Sequence, residues 1–499
     1  MFKTLGKSGF IATALVALAY TLAYTAITWT RHANFNSSIY DLGLFDQIIW
    51  NIGHGRFFES SIKGFNYLGD HFSPILVFLA PIYWIWDDVR MLLLFQAAAI
   101  AVSAFPFAAI ASETLKSRFA GVALSAVFLL HPSLGYTNIF DFHPEILLVP
   151  LFTFAFYFLR HGGINKALLC ILLALMVKEE VAITVGAFGV YIFFFHSKKA
   201  GALVAIASVV WFFLVMNVLI PSFKPSGAEP GFLYNERYEH LGSSMPEILK
   251  NAVIHPVRSV SESYVPWKGV TFLRMFLPTG FLAFAGLPVL LITAPAMWYT
   301  FISKYAPQFD VRFQYLTICV PFIMLAMLDG LKLLSSLIEE LGKKIGRPRL
   351  NMRSSAMVLA LALILLNTFS VYWIYRTHYL LWSTFKPAEN SAATREAMAL
   401  IPSDASLATV NLLGPHLSHR RDIEFAVPFD PHWYHYEKLH LPLYSNAQYQ
   451  LFNTKDVRWT RELQPSRINT LKNLLGYETI FEKDGILLLR SPSWSRSDR

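Results

Sequence analysis

The strongest constraint on what this chain can fold into is Phe10 to Trp29, twenty residues without a charge, together with the apolar stretches that follow it. A helix of about 20 apolar residues spans the roughly 30 Å hydrocarbon core of a bilayer, so the expectation is a polytopic membrane protein. A mean hydropathy of +0.43, with 55% hydrophobic and only 15% charged residues, excludes an ordinary soluble domain. The formal charge of +9 falls largely in short connections and in the C-terminal part. That distribution suits positive-inside topology and a separate polar domain, not nucleic-acid binding. Cys170 and Cys319 lie within apolar stretches and read as packing residues, not as a disulfide.

Lys3 and Lys7 precede the first run, which places the N-terminus in the cytoplasm and reads as a signal anchor, with no small-residue cleavage site after it. Later spans are expected at Met91 to Ser112, Phe119 to Thr137, Ile146 to Leu159, Ala167 to Val177, Val181 to Phe195 and Ala202 to Ile220. Four more follow at Thr271 to Ala285, Leu287 to Ser303, Phe313 to Leu331 and Ala356 to Ile374, giving about eleven transmembrane helices with the first. Ser73 to Trp86 is apolar but short and broken by Pro74 and Pro81. If it crossed, Lys198, Lys199 and the basic run from Lys343 to Arg353 would lie outside, so it is read as interfacial.

The fold expected is an all-α polytopic membrane bundle over residues 1–375 with a small extracytoplasmic α/β domain over 376–499. External loops are expected at 30–90 and 221–270. Strand-like runs at Ser406 to Val410 and Ile486 to Leu489, and helical patterns at Asn390 to Leu400 and Ser466 to Leu475, mark the last domain. The membrane is the inner, or plasma, membrane.

Titratable residues collect where this topology puts the outer face. Asp41 and Asp46 stand in Tyr40-Asp-Leu-Gly-Leu-Phe-Asp-Gln47, whose apolar spacing at Leu42, Phe45, Ile48, Ile49 and Ile52 predicts an amphipathic helix on the membrane. A carboxylate at such a helix start can act as a base, and equally as an N-cap. Asp70 and His71 stand at the water boundary, where a histidine can ligate a metal, bind phosphate or transfer a proton. Asp141, His143 and Glu145 follow the third expected span and should face the first loop.

Lys178-Glu179-Glu180 interrupts nearly thirty apolar residues. Ions there cost about 2.5 to 3.5 kcal/mol each on insertion scales, so they face water, protein or a head group. Lys178 is a point charge suited to phosphate, and an internal Lys–Glu pair that fixes packing is the plainer alternative. Arg312, in the turn before Tyr315, is placed for a bidentate phosphate contact or for anchoring at the interface.

The order of these features resembles the GT-C superfamily of polytopic glycosyltransferases. An acidic motif (Asp41, Asp46) is followed by His71 to Pro74, Val89-Arg90, Asp141, a hairpin broken by Lys178, and Tyr315 before Pro321. More closely, Tyr40 to Gln47, Asp141-Phe-His-Pro-Glu145 and Val177-Lys-Glu-Glu180 resemble an uncharacterised family of predicted prokaryotic membrane proteins that is GT-C-like. The resemblance implies inverting transfer of a sugar from a polyprenyl-phosphate-linked donor to a glycan, lipid or protein acceptor. Asp41, with Asp46 beside it, would be the catalytic base, and Lys178, Arg312 and Tyr315 would hold the donor phosphate. Asp70, His71, Asp141, His143, Glu145 and Glu179 would shape the site. The Asp-Glu pair of arabinose and mannose transferases is absent, since Leu42 follows Asp41, which leaves a divalent cation (Mg or Mn) open. A transporter or flippase using Lys178, Glu179 and Glu180, or a non-catalytic scaffold, are the other classes that fit.

Overall fold

A computed structural model describes residues 1–228, 233–346, 351–376, 384–426, 446–455 and 463–492. The first helix, α1 (Phe2–Ala33), shows how this chain meets lipid. One side buries Leu5, Gly9, Thr13, Ala17, Tyr20, Tyr24 and Thr28 at intervals of three or four residues, and the other exposes Leu15, Leu18 and Leu22. Its Thr13, Thr21 and Thr28 hydroxyls each bond the carbonyl four residues back, so these three groups are satisfied within the helix.

After α2 (Leu44–Gly53) come α3 (Arg90–Val102), α4 (Ala104–Thr114), α5 (Arg118–Leu129) and α6 (Pro132–Phe140). They are followed by α7 (Leu148–Arg160), α8 (Ile164–Leu175), α9 (Val181–Phe195) and α10 (Lys198–Leu214). Burial separates centre from rim. Ala306–Lys344 has 83% of its apolar window inside the protein, whereas Lys198–Ser222 has 22% and turns Leu203, Ile206, Val209 and Val210 outward. The first is a core helix and the second a lipid-facing one.

The expectation of about eleven spans is not met by length and composition. Among the described residues, five helical segments are long and apolar enough to cross a membrane, or six if α5 and α6, bent by 46°, count as one. The reason is that hydropathy counts apolar residues but not breaks in the helix. At about 1.5 Å per residue, α8 and α9, with 12 and 15 residues, reach only ~18 and ~22 Å. The stretch from Thr271 is broken at Pro278 and at Gly280 and Phe281, both left-handed with φ of 58° and 59°. The following turn packs so tightly on the core helix that a Cβ on Gly286 would sit 2.4 Å from the Ala326 carbonyl oxygen. Pro74–Trp84 forms a 3-10 segment of 11 residues, ~22 Å long at about 2.0 Å per residue and too short to cross.

The C-terminal part forms a five-stranded mixed sheet in the order β2-β1-β3-β5-β4. Its strands are β1 (Leu407–Thr409), β2 (Ile423–Phe425), β3 (Tyr449–Asn453), β4 (Glu478–Lys483) and β5 (Ile486–Arg490). β1 lies parallel to β2 and β3, β5 is antiparallel to β3, and β4 and β5 form a hairpin. The hairpin turns at Asp484 and Gly485, both at positive φ, which an Asp-Gly pair adopts at little cost. Helices flank the sheet at Ser391–Ala399 and Leu463–Asn469, close to the two predicted positions.

The sheet domain sits on the first loop and changes the reading of α2. That helix does not lie on the membrane with a polar face in water. Leu44, Phe45, Asp46, Gln47, Ile48, Ile49, Asn51 and Ile52 are all buried, because the sheet domain covers its polar side. The Tyr40 ring stacks on Phe425 at 3.9 Å, Gln47 donates to the Arg421 carbonyl at 2.9 Å, and Ile39 N donates to the Asn411 carbonyl at 3.0 Å. Gly414 is required at this contact, since a Cβ there would lie 2.2 Å from the Ile39 side chain.

Candidate functional site

The site begins in a single wider π-turn, Ile39–Gly43, that leads into α2. Ser38 Oγ accepts from Tyr40 N and so caps the turn, which frees Asp41 from that duty. The Asp41 carboxylate instead accepts from His143 Nε2 at 3.2 Å, with its side chain 25% exposed against 3% for the ring. Burial opposes a charge on His143, but the hydrogen bond and charge of Asp41, followed by Glu145 and Asp141, hold its pKa above the usual histidine value. Gln96 on α3 fixes the turn from behind, accepting from His143 N at 3.1 Å and donating to the Asp141 carbonyl at 3.0 Å.

Asp141 has a different task. It is fully buried, pairs with Arg31 at the end of α1 at 2.6 Å, and accepts from Ser38 N at 3.0 Å. Burial pushes its carboxyl up to about 6 against the pull of Arg31, and the Asp41 charge adds to the push. It ties the start of the π-turn to the first helix.

Lys178, at the apex between α8 and α9, is buried between Glu145 at 2.9 Å and Glu180 at 3.1 Å. Glu145 is held below the usual carboxylate range because Lys178, and after it His143, outweigh the burial that opposes its charge. Glu179 turns the other way, accepting from His71 Nδ1 at 2.7 Å and from Phe72 N at 3.0 Å. Asp70 pairs with Lys63 and accepts from the Tyr234 hydroxyl at 2.7 Å. Burial opposes its charge, yet Lys63 and then His71 hold its carboxyl well below the usual range.

An aromatic wall completes the site. The His71 ring stacks on Tyr234 with centroids 5.4 Å apart and planes within 7°. On Tyr234 lies the Arg237 guanidinium, 4.2 Å from that ring and 4.3 Å from the Tyr305 ring. Tyr315 stands beside both cations, 6.0 Å from Arg237 and 5.5 Å from Lys178. Burial raises the Tyr305 hydroxyl well above its ordinary value, and the charge of Asp41 contributes, so Tyr305 and Asp41 share one neighbourhood. Contacts therefore run from Glu145 through Lys178, Tyr315 and Arg237 to Tyr305, while Asp41 meets His143, two residues before Glu145.

Arg312 and Asp46 are engaged elsewhere. Arg312 closes on Asp310 in its own turn, Nε donating at 2.6 Å, and stands 5.9 Å from the Trp267 ring. Asp46 is wholly buried at the domain junction, where it accepts from Tyr83, from Ser418 and, at 2.9 Å, from His419 Nε2. Asp41 and Asp46 share no partner, and among the described residues no three His, Cys, Asp or Glu side chains converge as a metal would need. The residue set thus does not fit Mg or Mn held between these two carboxylates.

Arg237, Tyr234, Tyr305, Gln96 and His419 were missed by sequence reasoning. Only the first of them left a signal, an arginine in the aromatic run Tyr234-Asn-Glu-Arg-Tyr238 of the second loop.

The model of the family described as "Predicted membrane protein (DUF2079)" matches residues 31–488, nearly the whole chain and every residue of the candidate site. Among solved structures, the crystal structure of ArnT from Cupriavidus metallidurans in the apo state is similar at 14% identity and a TM-score of 0.49, over 95% of this chain and 97% of that one. No curated protein matches.

Proposed function

We propose that this chain, which belongs to the DUF2079 family of predicted membrane proteins, is an inverting membrane glycosyltransferase that uses a polyprenyl-phosphate-linked sugar donor. The observation that carries this reading is Asp41: a partly open carboxylate, oriented by one histidine and released from capping, on the same turn system that leads through Glu145 to Lys178. The GT-C resemblance of the sequence supports it.

In the proposed step the acceptor hydroxyl oxygen forms a bond to the anomeric carbon of the sugar, on the face opposite the phosphate. The bond from that carbon to the phosphate oxygen breaks, and its electron pair leaves with the polyprenyl phosphate. Asp41 takes the hydroxyl proton on its carboxylate, while His143 Nε2–H holds the other oxygen in place. Phosphate is a good leaving group, so one base and a cationic face suffice, unlike glycoside hydrolysis with its two carboxylates. The acceptor is a glycan, lipid or protein on the outer face of the plasma membrane, with the N-terminus cytoplasmic and the sheet domain outside.

Two measurements test this. Lipids co-purifying with the protein, identified by mass spectrometry, should include a polyprenyl phosphate or its glycoside. Sugar transfer from such a donor should vanish in a folded Asp41→Asn protein; full transfer in that variant would make the base assignment wrong, and no transfer by the wild type would favour transport.

A further inference from the structure

The cations of the site differ in whether their charge is already met. Lys178 is bracketed by two carboxylates, Arg312 is closed on Asp310, Lys63 on Asp70 and Arg31 on Asp141. Arg237 is held by π-faces alone: Tyr234 and Tyr305 sandwich its guanidinium, Tyr315 and Tyr238 stand near, and among the described residues no carboxylate pairs with it. A ring quadrupole attracts a cation but does not neutralise it, so the fork of N–H donors is fixed in direction and left without an anion. Tyr234 is itself fixed, its hydroxyl on Asp70 and its other face on His71. A cation that is half-buried, oriented and uncompensated is a receptor for an anion, and a planar guanidinium matches two oxygens of one phosphate.

We infer that Arg237, clamped between Tyr234 and Tyr305, is the group that receives the lipid-borne phosphate, and that the site selects a single phosphate over a diphosphate. The selectivity follows from charge. Of the two cations set against Tyr315, only Arg237 lacks a carboxylate among the described residues; the other, Lys178, carries Glu145 and Glu180, so a second phosphate reaching it would meet carboxylates where it needed a cation. Lys178 and Arg312 then act as braces of the site and not as its phosphate contacts. This rests on the glycosyltransferase reading for the identity of the lipid, but not for the existence of the anion site.

The test uses the full-length protein in nanodiscs of zwitterionic lipid, titrated with a short-chain polyprenyl monophosphate, the matching diphosphate and inorganic phosphate, with binding read as a rise in melting temperature. The wild type should bind the monophosphate at least tenfold more tightly than the diphosphate and show no rise with inorganic phosphate. Arg237→Gln should weaken monophosphate binding at least tenfold, while the ligand-free variant melts at or above the wild-type temperature because an uncompensated charge is gone. Arg237→Lys, which keeps the charge and loses the fork, should fall between. Undiminished binding by Arg237→Gln, or a ligand-free variant that melts well below wild type, overturns the assignment. An equal response to the diphosphate or to inorganic phosphate overturns the selectivity. If Arg237→Gln loses the lipid while Asp41→Asn still transfers sugar, the base assignment falls and the anion site stands.

Discussion

The segment from Ile39 to Gly53 carries two aspartate–histidine pairs made of the same chemistry and put to opposite uses. At one end Asp41 meets His143 and keeps a quarter of its side chain exposed; at the other Asp46 meets His419 and is sealed. The difference lies in how many donors each carboxylate has. Asp46 accepts from a phenol, a hydroxyl and an imidazole, so its lone pairs are spent on holding the sheet domain. Asp41 is bonded by one histidine and stays partly open to its surroundings. A carboxylate that holds structure together is saturated, and one that can do chemistry is left unfinished.

Substitution at each end should separate these uses. Asp41→Asn should lower sugar transfer by about 10²- to 10⁴-fold, the usual contribution of a general base, with a stability change within about 0.5 kcal/mol by thermal melting. Asp46→Ala should do the reverse in kind. It leaves the buried Tyr83 and Ser418 hydroxyls without their acceptor, though His419 keeps Asp87, and should destabilise the junction by about 1 to 3 kcal/mol, seen as early release of the sheet domain on limited proteolysis. A large loss of transfer in Asp46→Ala with an intact junction would erase the contrast. Ser38→Ala removes the cap of the π-turn and should cost about 1 kcal/mol, with a smaller effect on transfer than Asp41→Asn.

The smallest effect is that of pH. Burial opposes a charge on His419, but Asp46, and then Asp87, hold its pKa above the ordinary value. A raised histidine pKa contributes stability that is complete below about 6.5 and is lost as the pH rises through the folded value. Protection of the junction against hydrogen exchange should therefore fall on going from pH 6 to pH 9, and His419→Asn should flatten that slope.

How much of this was legible in the sequence follows from which groups had to meet. The membrane class, the two outermost strand runs and the polar clusters near residues 41, 71, 143 and 178 are local patterns, and each is found in the folded chain. The number of spans was not legible, because Pro278 and Gly280 break a stretch that hydropathy alone reads as continuous. Nor was the burial of α2, whose polar side is covered by residues more than 350 positions away. Arg237 was hidden for a related reason. Its neighbours are Tyr234, three residues before it, and Tyr305 and Tyr315 from a distant turn, and no single segment records that together they bring it rings and no carboxylate.

One bond described above has a bearing on how the protein comes into being. Ile39 N reaches Asn411 across 372 positions of chain, beside the turn that carries Asp41. At translation rates of about 5–20 residues per second, roughly 20 to 75 s separate the synthesis of the two partners. A nascent chain whose helices are already in the bilayer still has the Asp41 turn held from one side only. The half of the turn's support that comes from the sheet domain is thus the last piece to arrive, and the Asp41 turn is held from both sides only once the far end of the chain has folded back over its beginning.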